Sequence, residues 1–537
     1  MATIVYQTCK QTGITYAYES VAYWDKSKQQ SRAQRKLLGR VDPLTKEIVP
    51  TRKQTSRLGS NPAPTRPGPV PASSITRSFY GAGYLFDTML LQLGILEDLQ
   101  QSFPHSWKAL LSLSYFMILE DRNSLSRFTK WAATHTHPYG KSLPSQRISE
   151  LFASITEEAK QHFFRCLWKR FTETEYWAYD ITSISSYGKG LKQLRYGHNK
   201  DHELLPQINL ALLFGEETEL PFYYRKLAGN IPDVKTLRHL LSELRFFEKA
   251  SMKVVMDRGF YSDANIQALC KQHLKFLIAV KTSLRFVQEE LDQVRTSLRS
   301  WEHYQESHQC YALSRSIRWD YRQDRPYKGD TLEGKRRMYL HLYFNPAKAL
   351  EEEERFHHLL HKLQVDLEQG VRDPAYEKQY EKYFDWTQTP QRGVKVKAKQ
   401  EAIDQARKNY GYFTLLSNEI KDPMEALRIY RRKDGVEKAF GNLKEGLNFN
   451  RPRVSSDQSL DGKLFVVFLA LIIISQIKKR MRKKQLKKSY TFQEVLDQLD
   501  VIEAYEQPGQ RLRIGEMTQR QRDLYEALEV PPPTSLH

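Results

Sequence analysis

Apolar residues change their spacing several times along the chain, and each change predicts a different kind of element. In residues 1–58, Tyr16, Tyr18, Val21 and Tyr23 stand in a β-rich run, ITYAYESVAYW. The basic stretch KSKQQSRAQRKLLGR follows, then a short strand, EIVPTR, after the turn at Asp42-Pro43. Residues 59–77 carry SNPAPTRPGPVPA, whose prolines exclude a packed helix or sheet and predict a linker. Over 78–172, LFDTMLLQLGILEDLQQSF and SWKALLSLSYFMIL place apolar residues at three- and four-residue steps, the pattern of a helical domain. Residues 173–280 read as YWAYDITSIS, QINLALLF and LPFYYRKL in a meander, then the helix VKTLRHLLSELRFFEK and the strand KVVMD. A helix capped by Ser262 or Asp263 and the strand KFLIAV complete the order β-β-β-α-β-α-β. Residues 281–416 are mixed: the strand-like RRMYLHLYF and GYFTLLS flank a charged helix, EEEERFHHLLHKLQVDLEQ. Residues 417–488 hold a helix over 423–447 and the apolar run LFVVFLALIIISQI, 464–477, and 489–537 form a polar tail. A bilayer span needs roughly 20 apolar residues. The shorter run therefore predicts a buried helix and no membrane partner.

Composition narrows the class of partner. The 537 residues include 83 Lys plus Arg against 63 Asp plus Glu, a net charge of +20, with 40% apolar and 12% aromatic content. That much apolar surface excludes a disordered chain, and the length implies several domains. The charge favours an anionic partner, nucleic acid first. Cys9, Cys166, Cys270 and Cys310 are scattered and make no CxxC pair. This excludes a cysteine zinc site and a disulfide framework and fits a reducing cytoplasm. The opening MATIVYQTCKQTG shows no signal pattern. His357 and His361 have metal-ligand spacing, but no glutamate adjoins the first, and a charged amphipathic helix explains both. The polar loop YGHNKDH, 196–202, reads as a solvated hairpin ahead of a contact to DNA or metal-bound water, and the run KKRMRKKQLKK, 478–488, as a phosphate-facing surface ahead of a solvated helix end.

Three carboxylates stand where secondary structure does not demand them. Asp180 is placed at the end of the first meander strand and Asp257 at the end of the fourth, in VVMDRGF. Aspartate is a poor strand former and a costly residue to bury unpaired. A divalent cation would supply a partner, and so would a helix cap or a turn. The third is Glu437, in RIYRRKDGVEKAFGNLKEGL. At ~100° per residue, Tyr430, Lys433, Glu437 and Lys444 fall within a ~60° arc beside an apolar stripe. A surface Lys433–Glu437 pair accounts for the charges, but not for the tyrosine and second lysine on the same arc.

The element order, the two strand-end aspartates and the helical glutamate resemble the RNase H-like core of DDE transposases. DRGF at 257–260 and Tyr-x2-Lys-x3-Glu-x6-Lys at 430–444 resemble, more narrowly, the bacterial insertion-sequence transposases with the Tyr-Arg-Glu-Lys signature. The N-terminal run from YAYESVAYW to KEIV is similar to the opening of such proteins, and the likeness extends over roughly residues 1–490. The signature's arginine is Lys433 here, which keeps the charge and loses the bidentate fork.

The resemblance implies an α/β, multi-domain chain. An RNase H-like mixed-sheet core (173–280 and 417–488) is interrupted by an α+β insertion (281–416) and preceded by a β-rich basic segment and a helical DNA-binding domain. It implies Asp180, Asp257 and Glu437 as catalytic ligands of two Mg2+ ions, replaceable by Mn2+. Tyr430, Lys433 and Lys444 would contact DNA, with Arg431 and Arg432 nearby on other faces. Trp319, Trp301 or Trp386 would stack on a flipped base. The activity implied is cut-and-paste transposition through a hairpin intermediate, by a homodimer on the terminal inverted repeats and target DNA, in the bacterial cytoplasm at the nucleoid. A weakened or inactive DNA-binding copy, or a nuclease of the same fold without strand transfer, are the alternatives.

Overall fold

Alternating side chains near the N-terminus build a four-stranded antiparallel sheet from Ala2–Thr8, Thr15–Asp25, Gln30–Val41 and Ile48–Val49. From Gln30 on, the basic stretch thus forms its third strand. The structure, a computed structural model, describes residues 2–49 and 75–534, apart from 11, 26–29, 44, 122, 171–174, 189, 245–251, 326–329, 390–392 and 508–509. The prolines of the expected linker lie outside the described residues. Residues 1–74 with 508–510 make one compact unit, and the rest of the chain makes a second.

The second unit is organised by a nine-stranded sheet. Its strands are β1 (Tyr176–Ser185), β2 (Gln207–Gly215), β3 (Pro221–Ala228), β4 (Lys253–Met256) and β5 (Lys275–Val280). They continue as β6 (Tyr304–Gln305), β7 (Cys310–Arg325), β8 (Asp330–Phe344) and β9 (Tyr412–Ser417). The spatial order is β6-β7-β8-β9-β5-β4-β1-β2-β3. β1, β2 and β3 form the antiparallel meander, while β4 runs parallel to both β1 and β5. β9 then pairs antiparallel with β5 and with β8, so strands from the stretch 281–416 continue the same sheet. β1 and β2 are buried throughout except at Asp180, which is why they read as unbroken apolar runs.

Asp180 lies in the middle of β1, not at its end as the sequence suggested. β1 outlasts its parallel ladder with β4, which stops at Tyr179–Met256, because the antiparallel pairing with β2 carries it on to Ser185.

The helical layer holds Gly81–Gln92, Ile95–Ser102, Trp107–Leu119, Ser145–Ala153 and Glu157–Arg170 around the helix Asp457–Lys483. That helix is long and apolar enough to cross a membrane, but 94% of its apolar window is buried inside the fold. Its Val and Ile residues favour strands, and burial on every side overrides the preference. Phe465 meets Phe103 at 4.9 Å and Phe163 at 5.5 Å between ring centres. Gly462 is required here, because a Cβ would stand 2.4 Å from the Cβ of Phe152.

The start of the basic run after this helix is committed within the fold, while Arg482, Lys483, Lys484, Lys487 and Lys488 are exposed. Lys479 donates to the carbonyls of Glu217 and Thr218, Arg480 to that of Leu528, and Lys483 pairs with Glu529. The half-buried Lys479 and the buried Arg480 thus find carbonyls at the helix end, and the exposed Lys483 a carboxylate.

Candidate active site

Parallel register brings the two aspartates together. Tyr179 lies opposite Met256, so Asp180 and Asp257 are the next positions where β1 and β4 part. Neighbouring strands are about 4.8 Å apart, and equivalent positions face the same side. Tyr176 and Val255 share that side, and the helix Pro423–Arg432 packs on it through Leu427 and Ile429. The helix Asp434–Gly441 continues across β1 and β2, with Val436 and Phe440 buried beneath it.

The helix expected over 423–447 is not one uniform helix. It ends at Arg432, turns at Lys433, restarts over Asp434–Gly441 and closes in a π turn, Asn442–Gly446. Tyr430, Lys433 and Glu437 remain directed at the aspartates. The π turn changes the angular step, and the ammonium of Lys444 instead donates to Asp201 Oδ2 at 2.6 Å.

Burial raises the Asp180 carboxyl above its ordinary value. Lys200 and Lys433 work against that lift, and Glu437 adds to it. Asp257 Oδ1 accepts from the Arg258 amide at 2.7 Å and from the Tyr430 hydroxyl at 2.9 Å. Burial, then Asp257, pushes the Tyr430 phenol well up. Lys433 is 5% exposed, and its Nζ donates to Glu437 Oε1 at 2.6 Å. Burial alone would lower its pKa, but Asp180, Glu437 and Asp257 together raise it. The Lys433 ammonium is therefore the positive charge that all three carboxylates share.

Hard carboxylate oxygens suit Mg2+. As they stand, however, no three His, Cys, Asp or Glu side chains among the described residues are gathered closely enough to hold an ion. The three carboxylates fit such an ion in chemistry, and the Lys433 ammonium lies among them as a cation, not as a ligand. His357 faces Glu353 at 4.0 Å, and neither it nor His361 belongs to a metal-binding group among the described residues.

Two cavities lie beside the helices Pro423–Arg432 and Asp434–Gly441. One of about 860 Å³ opens beside Asp257 and Tyr430, lined by Arg258, Lys281, Lys348 and Arg355. The other, about 690 Å³, lies along the opposite helix face and is lined by Arg428, Arg431, Arg432 and Lys438. There Arg432 donates to Glu216 Oε1 at 2.8 Å, while burial lifts the Glu216 carboxyl to about 7.

None of the three tryptophans lines the cavity beside Asp257. Trp319 packs edge-on against Phe286 at 5.4 Å, and Trp386 sits under Arg372. Trp301 is 81% exposed and stacks on Tyr304.

Two residues outside the predicted ligand set, Lys200 and Asp233, join the site beside Asp180. Lys200 Nζ lies 3.6 Å from Asp180 Oδ1 and 3.2 Å from Asp233 Oδ2. The signal was the alternating charge of YGHNKDH, which sits directly after the strand that carries Asp180.

Residues 175–473 match the family model described as a transposase DDE domain. No curated protein matched the sequence. Among solved structures, the chain aligns with a cryo-electron-microscopy structure of a piggyBac transposase synaptic complex with hairpin DNA. The identity is 11%, the alignment covers 72% of this chain and 69% of that one, and the TM-score is 0.35.

Proposed function

The chain belongs to the transposases with a DDE domain, the match covering more than half of its length, and from that premise we propose that Asp180, Asp257 and Glu437 are its catalytic carboxylates. The protein is an enzyme of DNA transposition and recombination, and DNA is its partner. The observation that carries the residue assignment is the convergence of an aspartate within β1, an aspartate just past β4 and one helical glutamate on a single buried lysine.

The finer reading is an RNase H-like core, supported by the strand order β3-β2-β1-β4-β5 with β2 antiparallel to its neighbours. The spacing of Tyr430, Lys433, Glu437 and Lys444 supports placement with the Tyr-Arg-Glu-Lys group of bacterial insertion sequences. The activity proposed is cut-and-paste transfer through a hairpin, by a cytoplasmic homodimer acting on terminal inverted repeats.

Divalent metals are general in this family, and two Mg2+ ions held by the three carboxylates would activate the attacking oxygen and stabilise the leaving one. The chain's own side chains set the geometry for this. The Tyr430 hydroxyl holds Asp257 in one orientation, and the Arg258 amide fixes the same oxygen. Lys433 keeps Glu437 turned toward the aspartates. The cations beside Asp257 offer a path for the phosphate backbone.

The test is strand cutting on the DNA ends that flank the gene, with Mg2+. Asp180→Asn, Asp257→Asn and Glu437→Gln should each abolish cutting and leave end binding in place. Cutting retained in any one of them removes that residue from the assignment.

A further inference from the structure

One loop touches both halves of the proposed chemistry. Asn199 is buried, and its Nδ2 donates to Ser185 Oγ at 2.9 Å. Its Oδ1 accepts from the amides of Asp201 and Glu203 at 2.8 and 3.3 Å, and the Lys200 amide donates to Ser183 Oγ at 3.3 Å. The loop is thereby pinned to β1, the strand of Asp180. From this anchor its charges point to opposite ends of the site. Lys200 lies against Asp180 and Asp233 and also donates to the carbonyl of Ile181. Asp201 Oδ2 and Glu203 Oε1 each accept at 2.6 Å, from Lys444 and Arg451.

Each contact has the sign of a ligand. A cation rests on the acidic side, and carboxylates rest on the basic side. Lys444 is only 15% exposed, so a phosphate reaching it must displace Asp201. A divalent ion reaching Asp180 meets the Lys200 ammonium. His202, between the two acids, holds φ at 58°, a left-handed conformation that costs free energy in a residue with a Cβ. Opening the loop would relax it.

We propose that the loop Asn199–Glu203 stands in for both ligands in the free protein, Lys200 in place of a divalent cation on Asp180 and Asp201 in place of a DNA phosphate on Lys444. The inference rests on the proposed roles of Asp180 and Lys444. Lys200 and Asp201 are then positioning residues that hold the site closed until metal and DNA displace them.

The test uses the full-length chain, Ca2+ as probe ion in calorimetry and a random-sequence DNA duplex in fluorescence anisotropy at low salt. Asp201→Asn should bind the duplex about 5-fold more tightly, the scale of one ion pair removed from competition. That gain should vanish in the Lys444→Ala background. Lys200→Met should bind Ca2+ several-fold more tightly in the absence of DNA, and Lys200→Arg should bind it as the unmodified chain does. Thermal melting establishes that each variant is folded. A gain that survives Lys444→Ala, or Ca2+ affinity unchanged or weakened in Lys200→Met, overturns the proposal. Mg2+-dependent cutting by the unmodified chain is read separately, so failure of the catalytic assignment is distinguishable from failure of this one.

Discussion

Replacing Lys433 by methionine tests the electrostatics of the site most directly. The side chain keeps its length and apolar stem and loses the one charge that Asp180, Asp257 and Glu437 share. Glu437 is 58% exposed, so its pair with Lys433 is screened and contributes at most about 1 kcal/mol. Asp180 is 13% exposed, and a buried charge left without its partner costs about 3–5 kcal/mol. Lys200 still faces Asp180, which puts the loss at the lower end, about 3–4 kcal/mol altogether. At ~2 °C per kcal/mol for a large domain, the melting midpoint in metal-free buffer should fall by roughly 6–8 °C. Mg2+ should then restore most of it, since an ion at 100 times its dissociation constant stabilises by about 2.7 kcal/mol. The unmodified chain should gain less, because there the ion competes with the ammonium. Differential scanning fluorimetry with and without Mg2+ measures both quantities. A variant that melts like the unmodified chain, or one that ignores Mg2+, refutes the shared-charge account.

Three further outcomes follow from the same structure. Tyr430→Phe removes the hydroxyl that orients Asp257; a charge-assisted bond contributes about 1.5–3 kcal/mol, so single-turnover cutting should slow at least ~10-fold and melting should fall by roughly 3–6 °C. Burial lifts Glu216 from 4.5 to about 7 in the fold, against the pull of Arg432. The folded chain thus keeps a proton that the unfolded chain releases near 4.5. That stability, at most about 3 kcal/mol, is complete below about pH 4.5 and is lost as pH rises through about 7. Melting profiles across that window should slope downward for the unmodified chain and flatten in Glu216→Gln. Phe465→Ala empties the contact with Phe103 and Phe163 and should cost about 3–5 kcal/mol in denaturant unfolding.

Local chemistry explains which parts were legible in the sequence. Strands such as Gln207–Gly215 announce themselves because both faces are buried, leaving an unbroken apolar run. Asp180 and Asp257 stand out because they interrupt such runs, and Glu437 because tyrosine and lysine share its arc. Long-range pairing leaves no such trace. Nothing in CYALSRSIRWDYRQDR says that β7 joins the sheet beyond β8, since its polar alternation fits any half-exposed strand. Lys444 escaped the angular arithmetic because a π turn has a different step. The cations after Ile477 looked free because sequence does not show the carbonyls of Glu217, Thr218 and Leu528 that hold them. Lys200 was hidden in a polar loop without periodicity.

The antiparallel pairing of β5 with β9 also fixes how this chain tolerates change. Leu277 lies opposite Ser417, and only a short connection separates Ser417 from the helix beginning at Pro423. The long excursion between β5 and β9 leaves and returns at adjacent strands, so its length has no bearing on where Glu437 stands. Loop closure is weakly dependent on length, about 0.6 kcal/mol per doubling. The excursion is therefore a place where segments can be exchanged or enlarged with the carboxylates left in position. Its limit is β8, which covers the outer edge of β9. A graft that removes β8 would bare a row of unpaired amides and carbonyls and invite another chain to pair there.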